Sequence, residues 1–546
     1  MKKWTHVIKL AKLIGPIFLL CLAIGFAEAS DEDLYSFIRL FDKIAITVSD
    51  RYISTISPEK MINSSIDGMM DELDKYSQYL SDTEYYQLMK QTHGEYIGVG
   101  IEIVKHLDTI RVQSINDGSP AFLSDINVGD RIIKIDSTNV INKSTSDCRD
   151  LLKGDEDSNI ALTLWRPFVS KTIELELVRE KIHLDAVTCW CIDKNNNGYI
   201  KIDKFSEGTA LEVESLISLL RNKGINGLII DLQNNPGGLL YEAVEVASIF
   251  LNEGDKIVET KGRGAVSLRT YEARINGSYN IGPLVIVIDD QTASSAEIVA
   301  GAIQDHDRGL IIGTTSFGKG LVQQIMQFSD NSALKLTTAK YYTPSNRCIN
   351  KDTVNNEILV KRETDKNDLF YTKSGRAVFG GGGIIPDIYI EPLKVPPFLD
   401  EIQNCGYISD FVIKYGPKLI IDRDFAVTQK NIDDFFLFLE SKNYVYHNPD
   451  YNIFVDFVEQ NEEWANNRKI NSYVDDIKNV LENKSEYEML TYSSQIGDHL
   501  LEEFITIGMG KSKAYEFVKL KNDPELVRAS HILTSPHIYG KLLVDN

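Results

Sequence analysis

Cysteine is scarce in this chain, basic charge is outweighed by acidic charge, and no apolar run reaches the length of a bilayer. Six cysteines occur in 546 residues, and apart from Cys21 they are scattered as Cys148, Cys189, Cys191, Cys348 and Cys405. An odd number, widely spaced, argues against a disulfide framework. Cys189 and Cys191 form a C-x-C pair, but no second cluster stands at zinc-like spacing. The thiols therefore read as structural, and neither a metal nor another cofactor is expected. Against 79 acidic residues there are 58 Lys and Arg, a formal charge of −21, which makes nucleic acid or an anionic membrane a poor partner. The longest apolar run, Leu13 to Ala27, is broken at Gly15-Pro16 and falls short of the ~20 residues that span a bilayer. Lys2, Lys3, Lys9 and Lys12 precede it, and Ala27-Glu28-Ala29 ends it. Residues 1–29 thus read as a secretory signal cut after Ala29, and membrane attachment is expected only if the signal is kept. Leu20 stands before Cys21 where a lipidation signal needs a small residue. Cleavage removes four lysines and one glutamate and takes the charge from −21 to −24. Residues 396–546 hold no repeat or low-complexity tract, and the length calls for three or four folding units.

What is present changes character along the chain. Over 30–93 apolar residues recur at helical spacing (Leu34, Phe37, Ile38, Phe41, Ile44, then Met61, Ile66, Met69, Met70, Leu73), so a helical region is expected that packs on something else or on a second copy of itself. Over 94–182 short β-branched runs alternate with glycine: Tyr96 to Ile103, Ile110-Arg111-Val112, Gly118-Ser119-Pro120-Ala121, and Val128-Gly129-Asp130-Arg131-Ile132. A helix near Ser146–Lys153 and a strand over Ile160–Trp165 complete the pattern. In this order the segments resemble a PDZ domain. Gly98-Val99-Gly100-Ile101 is then the turn whose N–H groups hold a peptide's terminal carboxylate while the peptide adds to the sheet edge. Over 183–395 buried strands (Tyr199–Ile202, Gly227–Leu232, Leu284–Ile288, Leu310–Ile312) alternate with helices (Thr209–Asn222, Ser294 to about Gln304), which predicts an α/β core with parallel pairing. Residues 396–546 are acidic, aromatic and helical in period, with starts such as Asp523-Pro524-Glu525.

The chemistry concentrates in Asp290-Gln291-Thr292-Ala293-Ser294-Ser295-Ala296-Glu297 and, 25 residues after Ser294, in Phe317-Gly318-Lys319-Gly320. A serine at a helix start and a lysine in a glycine-flanked turn are the two parts of nucleophilic catalysis without histidine. Ser294 to Glu297 also forms a capping box, a role compatible with the first, because the positive end of a helix favours an alkoxide. A lysine can serve as base only when neutral. With an ordinary pKa near 10.4 that holds at pH 7 about once in 2,500, a deficit of roughly 4.6 kcal/mol that burial and positive surroundings must remove. No acid stands among Phe317 to Val322. Gly313 to Gly320 differs from a phosphate-binding P-loop in having Gly320 where a magnesium-binding Ser or Thr is needed. Asn234-Asn235-Pro236-Gly237-Gly238-Leu239 is either a plain strand-to-helix turn or the second donor of an oxyanion hole. Asp193 to Gly198 starts like a calcium loop but has Lys204 at its twelfth position, which favours a hairpin turn. His306 belongs at the far end of the helix that Ser294 begins, ~18 Å away by helical rise.

Together these motifs resemble the carboxy-terminal processing, or tail-specific, serine proteases. The resemblance runs from Leu73-Asp74-Lys75-Tyr76-Ser77-Gln78-Tyr79-Leu80 through the PDZ-like segments, Asn235 to Gly238, Ala293 to Glu297 and Phe317 to Gly320. It continues through Leu334 to Pro344 and Gly381 to Asp387. It implies a multidomain α+β protein, with a PDZ module, an α/β crotonase/ClpP-like protease core, and helical regions at both ends. It implies Ser294 as nucleophile, Lys319 as general base and Gln323 as the residue that positions the lysine. Gly237 or Gly238 with Ser295 would supply oxyanion N–H groups. The family's A-S-A-S-E reads A-S-S-A-E here, so Ser295 stands as a second candidate nucleophile, and Asp74-Lys75 replaces a frequent Asp-Pro. The implied activity is that of an exported endopeptidase, periplasmic or in the cell envelope if bacterial, acting on proteins or peptides with free C-termini. Homo-oligomers through the helical regions are expected. The rivals are a PDZ scaffold that binds tails without cutting them and a crotonase-like acyl-transfer enzyme.

Overall fold

The computed structural model describes residues 34–545 except 107, 117, 168, 264–267, 352, 355, 356, 359–368, 394, 417–420, 423 and 461–467. The expected signal over 1–29, and the membrane attachment that depends on it, lie outside the described residues. The chain divides into two compact units, Met1–Asp82 with Gln323–Thr337, and Thr83–Val322 with Thr338–Asn546.

The smaller unit begins with helices α1 (34–51) and α2 (Pro58–Asp71). Ser57 caps α2 by accepting from Lys60 N, with Pro58 at the first helical position. The apolar positions of α1, Leu34, Phe37, Ile38, Phe41 and Ile44, are exposed. Strand β1 (Gln78–Leu80) interrupts the region expected to be helical and pairs antiparallel with residues 333–335. Three residues are too few to show a strand's alternation, and tertiary pairing decides their state.

In the larger unit α3 (Asp82–His93) leads into β2 (Glu95–Gly98), β3 (Ile101–His106), β4 (Thr109–Ile115), β5 (Arg131–Ile135), β6 (Thr138–Asn139), α4 (Thr145–Leu152), β7 (Asn159–Arg166), β8 (Lys171–Val178) and β9 (Glu180–His183). The sheet order is β3-β4-β5-β7-β8, with β6 on β5 and β2 on β9. Alternate residues of β7 (Ile160, Leu162, Leu164) join Ile110, Val112, Ile132 and Ile135 in a closed core. The Tyr96–Ile103 run divides at Val99-Gly100, inside the turn expected over Gly98–Ile101. Gly100 has φ +82° and lies so close to Ser119 that a Cβ would stand 2.1 Å from that residue's own Cβ.

The core follows in chain order as β10 (Val187–Ile192), β11 (Gly198–Ile202), α5 (Thr209–Asn222), β12 (Leu228–Asp231), α6 (Leu240–Ser248), the antiparallel pair β13 (Lys256–Gly262) and β14 (Arg269–Glu272), β15 (Leu284–Ile288), α7 (Ser295–Asp305) and β16 (Leu310–Gly313). Strands β11, β12, β15 and β16 pair in parallel, β10 closes one edge antiparallel to β11, and Ile388–Tyr389 adds to the other. Helices α5, α6 and α7 cover one face through Val213, Ile217, Val246, Val299 and Ile303. The opposite face, with Cys189, Cys191, Tyr199, Ile229 and Val287, is covered by Leu526, Ala529, Ile532 and Leu533 of the helix Pro524–Leu533. Burial on both faces explains the continuous apolar strands, and the C-x-C pair is two thiols on the inward side of one strand. The hairpin β17 (Leu321–Gln327) and β18 (Ala333–Tyr342) follows. The first residues of β18 pair with β1 in the smaller unit, and Ala339–Tyr342 pair with β13 in the larger.

The C-terminal helices α8 (Pro397–Asn404), α9 (Tyr407–Tyr415) and α10 (Gln429–Ser441) share an aromatic core of Phe398, Phe411, Phe435, Phe438 and Phe504. Asp410 of α9 ties them to the PDZ module, 2.8 Å from Arg111 Nη1 and 2.9 Å from His106 Nε2. Burial pushes the Asp410 carboxyl up, but the hydrogen bond from His106 and the charges of His106, Arg111 and Arg131 outweigh it and hold the group below the ordinary aspartate range. A carboxyl depressed in the folded state adds stability above its unfolded value near 4 and loses it as pH falls through the lower folded value. Asp410→Ala is expected to cost about 3 kcal/mol at neutral pH, because the buried Arg111 guanidinium loses its carboxylate partner, and the difference between parent and variant is expected to shrink as pH falls below the unfolded carboxyl value. Hydrogen exchange over α9 and β4 checks this, and equal protection of parent and variant at neutral pH would refute it.

Candidate active site

Ser294 sits where β15 turns sharply into α7, with φ 56° and ψ −115°. A non-glycine residue there stores about 1–3 kcal/mol, which persists only where the surroundings over-determine it. They do so here. Glu297 accepts from Ser294 N at 2.8 Å, Tyr341 Oη donates to Ser294 O at 3.1 Å, and Ala293 N donates to Asn235 O at 2.8 Å. Such a strand-turn-helix elbow lifts a nucleophile's hydroxyl clear of the main chain. Ser294 is half-buried, whereas Ser295 is buried and its Oγ donates to Gly238 O at 2.8 Å.

Glu297 joins the two motifs. Its side chain is fully buried and accepts four hydrogen bonds, from Ser294 N (2.8 Å) and Lys319 N (2.9 Å) on Oε2, and from Gly318 N (2.7 Å) and Ser316 Oγ (2.5 Å) on Oε1. Residues 25 apart in sequence thus share one carboxylate oxygen. The backbone nitrogens of Ser294 and Lys319 can lie no further apart than the sum of those two distances, 5.7 Å. Burial pushes the Glu297 carboxyl up, and the four donors counter that without cancelling it.

The rest of the lysine turn is held as firmly. Phe317 N donates to Thr292 O, Lys351 N to Gly318 O, and Gly320 N to Asn350 Oδ1. Ser316 Oγ accepts from Ile384 N, which brings in the Gly381–Asp387 motif, and Lys351 Nζ donates to Ser316 O at 3.1 Å. With Gly318 N and Lys319 N spent on a buried carboxylate, this turn has no N–H cradle for a phosphate, so the P-loop reading fails.

Gly237 and Gly238 lie against the elbow. Gly237 has φ +97°, and a Cβ there would stand 2.8 Å from Ala293 O and Ser294 Cβ and 2.9 Å from Ser295 N. Its N–H donates to Asn235 Oδ1 at 2.8 Å, and Asn235 Nδ2 in turn holds Ile202 O. Gly238 is bridged to Phe205, with Phe205 N donating to Gly237 O and Leu239 N to Phe205 O. That pattern leaves Gly238 N–H unspent among the described residues. Ser295 N, the first of α7, is likewise one of the N–H groups a helix start leaves open.

Gln323 lies in the smaller unit, where its Nε2 donates to Thr337 Oγ1 at 3.3 Å. Gly98, Val99, Gly100 and Ile101 form the turn into β3, an edge strand beside α4. The carbonyls of Val99 and Gly100 accept from Ala121 N and Asn116 N, so the turn is braced from inside. His306 ends α7 with Nε2 2.7 Å from Lys256 O, away from the elbow. Asp193 accepts from Asn195 N, Asn197 N and Ser530 Oγ in the β10–β11 hairpin, which disposes of the calcium-loop reading. Sequence reasoning saw Glu297 only as a capping residue and passed over Tyr341, Asn350 and Lys351. The Lys-Tyr-Tyr-Thr-Pro run was visible, but a strand residue's partner 47 positions away has no local signal.

Peptidase family S41 matches residues 196–360, a PDZ domain matches 111–166, and the C-terminal helical domain of a probable PDZ-protease matches 398–533. A carboxy-terminal-processing protease of Bartonella bacilliformis is 34% identical over 63% of this chain and 80% of its own length. A probable CtpA-like serine protease of Staphylococcus epidermidis is 33% identical over 56% of this chain and 61% of its own. Among solved structures, a photosystem II D1 C-terminal processing protease is 27% identical, covering 67% of this chain and 96% of that one, with a TM-score of 0.35. Having a strained serine elbow clamped to a lysine turn, and matching four fifths of a curated relative, the chain belongs to the carboxy-terminal-processing serine endopeptidases of peptidase family S41.

Proposed function

We propose that the protein is an exported endopeptidase, periplasmic or in the cell envelope if bacterial, that takes the C-terminal tail of a protein into the groove between β3 and α4 and cuts upstream of it. The N–H groups of Gly98 to Ile101 receive the tail's carboxylate, and the tail's backbone adds to the open edge of β3. Ser294 Oγ attacks the scissile carbonyl carbon while its proton passes to neutral Lys319. The C–N bond then breaks as Lys319 returns that proton to the leaving amine. Water, activated by the same lysine, releases the acyl group. Gly238 N–H and Ser295 N–H hold the oxyanion. Gly237 contributes its close approach rather than a donor, and Gln323 orients the lysine as the family's motif implies. We infer further a crotonase/ClpP-like kinship for the core, and self-association through the exposed apolar face of α1. The reading is carried by one observation, the single Glu297 oxygen that holds both the Ser294 and the Lys319 main chains.

Intact-mass analysis of an unfolded protein with an apolar C-terminus, incubated with the chain, tests it. Discrete products from the parent are expected, and truncating the substrate's last residues should suppress them. Tail binding without any product would instead establish the scaffold reading.

A further inference from the structure

Within the smaller unit, Gln323 is the first link of a hydrogen-bond chain that ends on the N-terminal segment. Gln323 Nε2 donates to Thr337 Oγ1 at 3.3 Å, and Thr337 Oγ1 donates to Asp74 Oδ1 at 3.1 Å. Asp74 is itself held, accepting from Tyr76 N (2.9 Å) and Ser77 Oγ (3.0 Å). Ser77, buried, accepts from Thr337 N at 3.1 Å, and the adjoining register of Gln78 on Lys335 keeps the strands from sliding.

The direction of these bonds follows from what each group can do. A carboxylate only accepts, and a hydroxyl has one hydrogen. Thr337 therefore spends its hydrogen on Asp74 and turns a lone pair to Gln323. A lone pair can be met only by the amide's NH2 end, so the side chain of Gln323 is set one way round, with Oε1 as its outward acceptor. An amide without such a partner is free to turn over, since its two ends have nearly the same shape.

We propose that Asp74 and Thr337 are positioning residues that fix the sense of the Gln323 amide, with its nitrogen turned to Thr337 and its oxygen left as the acceptor. The proposal rests on the reading of Gln323 as the lysine's orienting residue.

Steady-state cleavage of a quenched fluorescent peptide with an apolar tail, by the full chain and its variants, tests this. Thr337→Val removes the hydroxyl at constant volume and leaves the N–H to Ser77. It and Asp74→Ala are each expected to lower kcat about tenfold with KM unchanged. Thr337→Ser keeps the hydroxyl, and Asp74→Asn keeps the Oδ1 acceptor, so both should retain most of the activity. In a Gln323→Ala background neither Thr337→Val nor Asp74→Ala should have a further effect, because the group they orient is gone. A full-strength Thr337→Val loss in that background, or none in the parent, overturns the proposal. If Asp74→Ala melts early, Thr337→Val alone decides. Full activity of Gln323→Ala overturns it too while leaving the roles of Ser294 and Lys319 standing. Cleavage retained by Ser294→Ala sinks that reading and this proposal with it.

Discussion

Ser294→Ala is expected to lower cleavage by a factor on the order of 10^4 or more, while Ser295→Ala keeps activity within about tenfold. The difference lies in where the two hydroxyls point. Ser295 Oγ is buried on Gly238 O, so its removal costs a net hydrogen bond of about 1 kcal/mol and leaves the N–H of that residue in place. Ser294 stands at the strained tip of the elbow, half-buried, at the start of α7. Lys319→Ala should fall by on the order of 10^3. Lys319→Arg should be no better, since a guanidinium keeps the charge but cannot become a neutral base. Mass spectrometry of products over long incubation reads all four variants. An active Lys319→Arg would show that charge, not proton transfer, is what the position supplies.

The second large effect belongs to Glu297. Its two oxygens each face two donors, so Glu297→Gln must set an NH2 against either the pair Ser294 N and Lys319 N or the pair Ser316 Oγ and Gly318 N. The first leaves two buried backbone donors unmet, and in the second the serine hydroxyl can turn to accept while the Gly318 N–H goes unmet, at about 1–3 kcal/mol for each orphaned group. The elbow, no longer over-determined, is expected to relax from its positive φ. Activity should drop on the order of 10^2-fold, with a folded but less stable protein. The check is melting temperature beside kcat/KM. A variant of parental stability and activity would mean that the carboxylate is not what holds the two turns together.

Much of this protein can be seen in one dimension. The strands Tyr199–Ile202, Leu228–Asp231 and Leu284–Ile288 announce themselves as largely apolar runs, interrupted only by Lys201 and Asp231, because a sheet covered on both faces needs no alternation. Helix α5 shows its period over its full length. By contrast β1 is missed inside a helical region, and nothing in the local pattern of α9 or of the helix Pro524–Leu533 says what each covers. One of them docks on the PDZ module through Asp410, and the other plugs the second face of the core sheet.

By itself the sequence determined the order of the modules, the serine at a helix start, the lysine in a glycine turn and the glycine pair beside them, since these are properties of residue type and near spacing. Tertiary structure alone decided which of two adjacent serines is presented, which of two glycines has an open N–H, and that Glu297 clamps two turns. It also decided that Asp74 reaches Gln323 through Thr337. Each of those depends on the direction of a hydrogen bond between residues far apart in the chain, and no local pattern of side chains encodes a direction in space.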